Sequence, residues 1–175
     1  KVIIETLKNF PECFLNCNFQ IHEKSELLKE KQQLHLKYEK ITWIENIKIN
    51  NSYPTIFLAN EFFDALPIKQ FFKRKEGWVE RFVHFKEEKR AEFKEQPVDI
   101  NKIEQNLNLT ISKEQEIIEY SPGAFEYLKN ICNLLKKNDG GILIIDYGYL
   151  NLKMHETLQA IKNHKYSNIL EDIGD

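Results

Sequence analysis

Cysteine is scarce in this sequence: only Cys13, Cys17 and Cys132 occur, and no two form a CxxC pair. Any pairing leaves one over, which argues against a disulfide-framed secreted scaffold. Free, mostly buried thiols in a reducing compartment are the expectation. The five histidines, His22, His35, His84, His155 and His164, stand singly, so no ligand spacing supports a metal site. No apolar run approaches the roughly 20 residues of a membrane-spanning helix, and no secretory leader is visible. An excess of one charge is missing too. Lys+Arg number 25 against 27 Asp+Glu, a net charge of −2. The two signs are interleaved, as in Lys73-Arg74-Lys75-Glu76 and Glu87-Glu88-Lys89-Arg90. That pattern reads as a solvated face and gives no general reason to bind nucleic acid. Internal repeats and low-complexity linkers are also absent.

What is present is a globular balance over 175 residues, 42% hydrophobic and 30% charged, enough for one domain with a core. The chain opens inside an amphipathic pattern, Lys1-Val2-Ile3-Ile4-Glu5, without a start methionine, and stops at Ile173-Gly174-Asp175. Both ends read as truncations. Helical spacing of Val2, Ile3, Ile4, Leu7 and Phe10 predicts a first helix ending at Pro11. Cys17–His22 and Ile41–Ile44 read as short strands, separated by a helix capped by Ser25 with Leu27, Leu28, Leu34 and Tyr38 on one face. After a loop at Asn50–Pro54, Thr55–Ala59 is an apolar run expected of a strand buried on both faces of a parallel sheet.

A polar turn, Asn60–Pro67, leads into a hairpin of Ile68–Phe72 and Trp78–Val83 that turns at Lys75-Glu76-Gly77. Residues 86–113 are weakly patterned and read as a mostly irregular surface excursion, so 68–113 is taken as hairpin plus insertion. Glu116–Glu119 restores regularity. Ser121 and Pro122 then start a helix lined by Phe125, Leu128, Ile131, Cys132 and Leu135, which Asn138–Gly141 stops. Ile142–Ile145 is a second buried strand, and a last helix is predicted over His155–Asn163. Strands alternating with helices imply an α/β fold with a parallel sheet and right-handed crossovers.

Three strands end in polar residues: Ile21-His22-Glu23, Leu58-Ala59-Asn60-Glu61 and Ile144-Ile145-Asp146. Open α/β sheets bind ligands outside the carboxyl ends of their strands, so these ends mark a ligand cleft. Glu23 is placed where nucleotide-type folds keep an acid for ribose hydroxyls, roughly 20 residues beyond a glycine-rich loop. No such loop precedes it here. In Asn60–Pro67, Phe62 and Phe63 lie between Glu61 and Asp64. The carboxylates there can clamp a cation or take a proton, and the aromatic pair can wall a flat or cationic group. The plainer reading is that the two rings pack beneath the sheet while Asp64 caps a short helix.

Asn60-Glu61-Phe62-Phe63-Asp64-Ala65-Leu66-Pro67, followed by Gln70-Phe71, resembles the signature of the MidA-like methyltransferases. That family includes the mitochondrial assembly-factor methyltransferase of respiratory complex I. Further similarities follow in order through the chain. They are His22-Glu23-Lys24-Ser25 with Leu27, Trp43, Gly77-Trp78 with Glu80-Arg81, Glu119-Tyr120-Ser121-Pro122, Asp146-Tyr147-Gly148-Tyr149, and Thr157-Leu158-Gln159-Ala160 with His164. The resemblance implies a Rossmann-like class I methyltransferase sheet over 1–175, lacking its glycine-rich loop and its C-terminal part. It implies S-adenosylmethionine as cofactor and arginine N-methylation of a protein substrate. Carried over by position, Glu23, Asn60 and Asp146 would hold the cofactor. Asn60, Glu61 and Asp64 would line the reacting centre, and Phe62, Phe63 and Tyr147 would meet the substrate. A second chain completing the domain is compatible with this reading. A bacterial cytoplasm is the expected setting, with a mitochondrial matrix the alternative.

Two other readings stand beside it. Asn60 followed by aromatics loosely resembles the Asn-Pro-Pro-aromatic site of nucleic-acid amino-methyltransferases, but it has neither the proline pair nor a basic face. A non-catalytic remnant or assembly partner would use the hairpin and the 86–113 excursion to bind another protein.

Overall fold

The computed structural model describes residues 1–37, 40–47, 53–87, 90–150 and 153–171. The sequence expectations for Tyr38, for the loop residues 50–52 and for the final Gly174-Asp175 lie outside these residues. Two compact units are present, residues 1–55 with 130–140, and residues 56–129 with 141–175.

In the first unit, the predicted first helix is α1 (Val2–Leu7), which ends before Pro11, and a second helix that the spacing did not announce, α2 (Pro11–Asn16), follows it. Pro11 begins α2, because its missing N–H costs nothing at a first helical position. β1 (Phe19–His22) runs to α3 (Glu26–His35), whose N-terminus Ser25 caps by accepting from the Leu28 amide at 3.3 Å. β2 (Ile41–Ile44) pairs with β1 in parallel, Phe19 opposite Ile41 and His22 opposite Ile44. Ile4 and Ile41 are buried, but the expected apolar face of α3 is not: Leu27, Leu28 and Leu34 are exposed. Nor are the thiols mostly buried, since Cys13 and Cys132 are exposed and Cys17 is half-buried.

β3 (Thr55–Asn60) begins at the limit of the first unit and leads into the second. There the chain forms β4 (Lys69–Arg74), β5 (Gly77–Glu87) and β6 (Arg90–Val98), then α4 (Ile100–Leu107) and β7 (Ile117–Tyr120). These strands make one antiparallel sheet in the order β6-β5-β4-β7. The irregular excursion expected over 86–113 is therefore corrected. Cross-strand pairing carries β5 far past Val83, and the Asp99 side chain caps α4 by accepting from the Asn101 amide. Pro97 is tolerated because β6 is the edge strand. The core forms on one sheet face, where Phe71, Ile103 and Ile118 are buried against Trp78, Val98, Ile100, Leu107, Ile111 and Tyr120. Ile100, Ile103 and Leu107 recur at helical spacing, which turns one stripe of α4 onto the sheet.

α5 (Pro122–Asn138) starts as predicted, with Ser121 Oγ accepting from the Ala124 amide at 3.2 Å. β8 (Gly140–Ile145) then pairs with β3. The Thr55 amide donates to the Asp139 carbonyl and the Glu61 amide to the Ile145 carbonyl, so the two strands run parallel. They are not buried on both faces as expected: Ile56 is 74% and Leu58 53% exposed, with Leu143, Ile144 and Ile145 exposed on β8. Alternation is the reason on β3, where Phe57 and Ala59 take the covered side. The predicted final helix over His155–Asn163 is a strand pair instead, β9 (Ala160–Lys162) with β10 (Lys165–Ser167). Asn163 and His164 both adopt left-handed φ, 52° and 60°, the conformation of a tight hairpin turn, which overrides the helical spacing upstream.

Candidate functional site

The carboxyl end of β3 and the carboxyl end of β8 meet in one hydrogen-bonded knot. The Glu61 amide donates to the Ile145 carbonyl at 2.8 Å, and Glu61 itself turns the chain with φ 47°. Asp146, the residue after β8, then catches the turn. Its Oδ2 accepts from the Phe63 amide at 3.0 Å and the Asp64 amide at 3.3 Å, while Oδ1 accepts from the Tyr147 amide at 2.9 Å. A carboxylate accepting several backbone N–H groups is a strong, charge-assisted anchor. Asp146 therefore determines where residues 61–64 and 147 sit.

The side chains so placed are acidic and aromatic. Glu61 and Asp64 are exposed, and the Tyr147 hydroxyl donates to Glu61 Oε1 at 3.4 Å. The Tyr147 phenol is held above its ordinary pKa chiefly by the charge of Glu61. Burial, the hydrogen bond to Glu61 and the charges of Asp64 and Asp146 add to the effect. Three carboxylates thus place a negative field at one exposed point. Asn60 closes β3 on the exposed side. Phe62 lies edge-on to Phe63 at 5.2 Å and to Tyr127 of α5 at 5.0 Å, so its ring packs on the helix while Phe63 stays half-buried beside it.

In the first unit, Glu23 follows β1 as predicted. Its Oε1 accepts from the Ser25 amide at 2.9 Å and its Oε2 from Gln32 Nε2 at 3.0 Å. Gln32 in turn accepts from the Trp43 indole at 3.0 Å. An ionised carboxylate offers about four acceptor sites, so the two in use orient Glu23 and leave capacity for the paired hydroxyls of a ribose. The arrangement fits that group.

A second knot was not foreseen from single residues. Gln70, 4% exposed, donates to Glu119 Oε1 at 2.6 Å. The same carboxylate accepts from the Thr157 amide at 3.1 Å and from its hydroxyl. Alongside, Arg81 pairs with Glu156 at 2.7 Å and lies over the Phe72 ring at 3.8 Å, while the Met154 amide donates to Gln115 at 3.1 Å. Residues 154–157 are thereby strapped across the sheet face opposite the core. The segments noted separately in the sequence, at 70–71, 80–81, 119–122 and 157–160, converge here. Their pairing is a property of the sheet register, Gln70 opposite both Arg81 and Glu119, which no local pattern encodes.

Among the described residues no group of three or more His, Cys, Asp or Glu could hold a metal ion, and no helix is long and apolar enough to cross a membrane.

Comparison with known proteins points one way. The model of a family described as putative S-adenosyl-L-methionine-dependent methyltransferases matches residues 1–175. The zebrafish (Danio rerio) protein arginine methyltransferase NDUFAF7, mitochondrial, is 27% identical over 134 residues, covering 77% of this chain and 32% of its own length. The Caenorhabditis elegans homologue of that protein is 28% identical over 136 residues, with the same coverage. The chain thus spans about a third of the length of these relatives. Among solved structures, a COG1565 superfamily member and likely methyl transferase from Burkholderia thailandensis, bound to S-adenosyl-homocysteine, superposes with a TM-score of 0.52 at 18% identity. It covers 66% of this chain and 31% of its own. That likeness establishes the α/β methyltransferase fold.

Proposed function

This chain belongs to the family of putative S-adenosyl-L-methionine-dependent methyltransferases, and from that premise we propose that it forms part of a protein arginine N-methyltransferase. The observation that carries the reading is the acidic point made by Glu61, Asp64 and Tyr147 on the Asp146 anchor. A guanidinium is planar, permanently charged and matched to carboxylates through paired N–H donors. The names of the arginine-methylating relatives support the same substrate.

S-adenosylmethionine, when bound, supplies an electrophilic methyl group. Glu23 would hold its ribose hydroxyls. Glu61 and Asp64 would accept from the guanidinium N–H groups and draw the positive charge toward the nitrogens that do not react. The attacking nitrogen then keeps more of its lone pair. Tyr147, held protonated, remains a hydrogen-bond donor to Glu61 and keeps that carboxylate aimed. The task is largely one of alignment. The Asp146 anchor serves it by holding residues 61–64 in one backbone geometry. Phe63 would flank the planar group, supported by Phe62, whose ring packs on Tyr127 of α5.

The test is a Glu61→Gln, Asp64→Asn double variant, made in this chain and in a version extended by the segments its relatives carry. Calorimetry with S-adenosylhomocysteine and transfer of labelled methyl to protein arginine are both measured. Intact binding with transfer reduced roughly 100-fold is expected, the worth of one or two charge-assisted hydrogen bonds. Unchanged transfer would remove the role given to these carboxylates. Glu23→Gln should instead weaken cofactor binding roughly tenfold.

A further inference from the structure

We propose that Cys13 and Cys17 are a redox-active dithiol that closes to a disulfide when the protein meets a small-molecule disulfide such as oxidised glutathione. The two sulfurs lie 3.8 Å apart, in contact, one on α2 and the other on its C-cap residue. Cys13 is exposed and Cys17 half-buried. In a regular helix, residues four apart have Cβ atoms roughly 5–6 Å apart, beyond the roughly 3.5–4.5 Å that a disulfide spans. Cys17 escapes that limit. It is the C-cap, already extended at φ −92° and ψ 138°, and its backbone holds to α2 through a 3.3 Å bond from its amide to the Phe14 carbonyl. The sulfurs therefore need to approach by less than about 2 Å to reach bonding distance, which side-chain rotation and a swing of this one peptide supply.

The order of attack follows from the surroundings. Burial raises the Cys17 thiol pKa, with the hydrogen bond and charge of Cys13 adding to it, against the opposing charge of Lys40. Cys13, the exposed partner, is the point of entry. Its thiolate attacks one sulfur of the small disulfide, whose S–S bond breaks and expels one thiolate. The Cys17 thiolate then attacks Cys13 Sγ, the mixed S–S bond breaks, and a second thiolate leaves. Two protons pass from the protein thiols to the departing thiolates. The protein loses two electrons and two protons, and the small disulfide is reduced to two thiols.

Closure acts on a segment that matters. Lys40 Nζ holds the end of α2 by donating to the carbonyls of Phe14 at 3.1 Å and Leu15 at 2.7 Å, and Phe14 packs against Phe19 at 6.1 Å. One residue, Asn18, separates Cys17 from β1, the strand that ends at His22 beside Glu23. A bond at Cys13–Cys17 thus restrains the turn that feeds β1.

The chain is incubated with oxidised glutathione, alkylated without reductant and mapped by peptide mass spectrometry. The expected product has Cys13 and Cys17 protected in one peptide lighter by two hydrogens, while exposed Cys132 carries glutathione or the alkyl group. A Cys17→Ser variant should stop at a stable glutathione adduct on Cys13, and Cys132→Ser should leave closure unchanged. The proposal is overturned if the wild-type chain keeps Cys13 and Cys17 alkylatable, or if it holds the Cys13 adduct as long as Cys17→Ser does. Neither readout depends on methyl transfer, so this inference stands or falls apart from the proposed function.

Discussion

Single carboxylates carry much of the organisation at the residue scale. Asp146 gathers the amides of Phe63, Asp64 and Tyr147, and an amide side chain in its place would turn an –NH2 group toward backbone donors or lose one oxygen. Asp146→Asn should cost about 1–3 kcal/mol and speed hydrogen exchange at Phe63 and Tyr147 more than elsewhere. Equal exchange at those amides would show that the turn holds itself. Glu95 offers a titration. The Arg74 side chain, hydrogen-bonded to it, holds its pKa below the usual value; burial opposes this, and the charges of Arg74 and Arg81 add to the lowering. A carboxylate depressed on folding adds stability above its unfolded pKa of about 4.5 and loses it as pH falls through the folded value. The β4–β5–β6 sheet should therefore loosen under acid. Glu95→Gln should flatten that dependence below about pH 4.5, as followed by NMR of the hairpin amides.

Elements here are held together at a few contacts. Gly140 opens β8 at φ 127°, and a Cβ there would stand 1.9 Å from the Thr55 carbonyl oxygen. Neither the conformation nor the space admits a side chain, so Gly140→Ala should cost about 3 kcal/mol or more and separate β8 from the start of β3. Thermal melting and exchange at the Thr55 amide report it. Residues 154–157 are strapped to the antiparallel sheet through Glu119, Arg81 and Gln115. Removing the Glu119 carboxylate leaves the buried Gln70 amide and the Thr157 donors without their acceptor. Glu119→Ala should cost about 1–3 kcal/mol and expose the Thr157 amide to exchange, while the β4–β5 ladder remains protected. Loss of protection in both would make the strap part of the sheet's own stability.

At the scale of the whole molecule, burial is uneven. Phe71 and Ile118, each 3% exposed, sit in the compact core beneath α4, whereas Ile56, Leu58 and Leu143 remain open to water. Phe71→Ala should cost about 3–5 kcal/mol. Ile56→Thr and Leu58→Thr should change the stability of this chain by no more than about 0.5 kcal/mol, and should lower its binding of a hydrophobic dye. A large loss of stability from those two surface changes would show that β3 is covered in solution.

Much of the local architecture is legible in the amino-acid sequence because its causes are local. Ser25 and Ser121 announce their helices by capping chemistry, the Thr55–Ala59 and Ile142–Ile145 runs announce strands by composition, and the Asn60–Pro67 signature places the family. Glu23, Asn60 and Asp146 could be located at strand ends for the same reason. Other features depend on contacts distant in the chain, and only the tertiary structure decided them. Cross-strand pairing made order of the residues beyond Val83, and left-handed backbone at Asn163 and His164 turned a helical spacing into β9 and β10. Sheet register put Gln70 beside Glu119, and Thr157 reached that carboxylate from 38 residues further on. Hydrogen bonds from Phe63 and Asp64, more than 80 residues before Asp146 in the chain, made its carboxylate an anchor rather than a free acid. Composition and spacing report what a residue favours; what its carboxylate accepts depends on which backbone the fold brings within 3 Å.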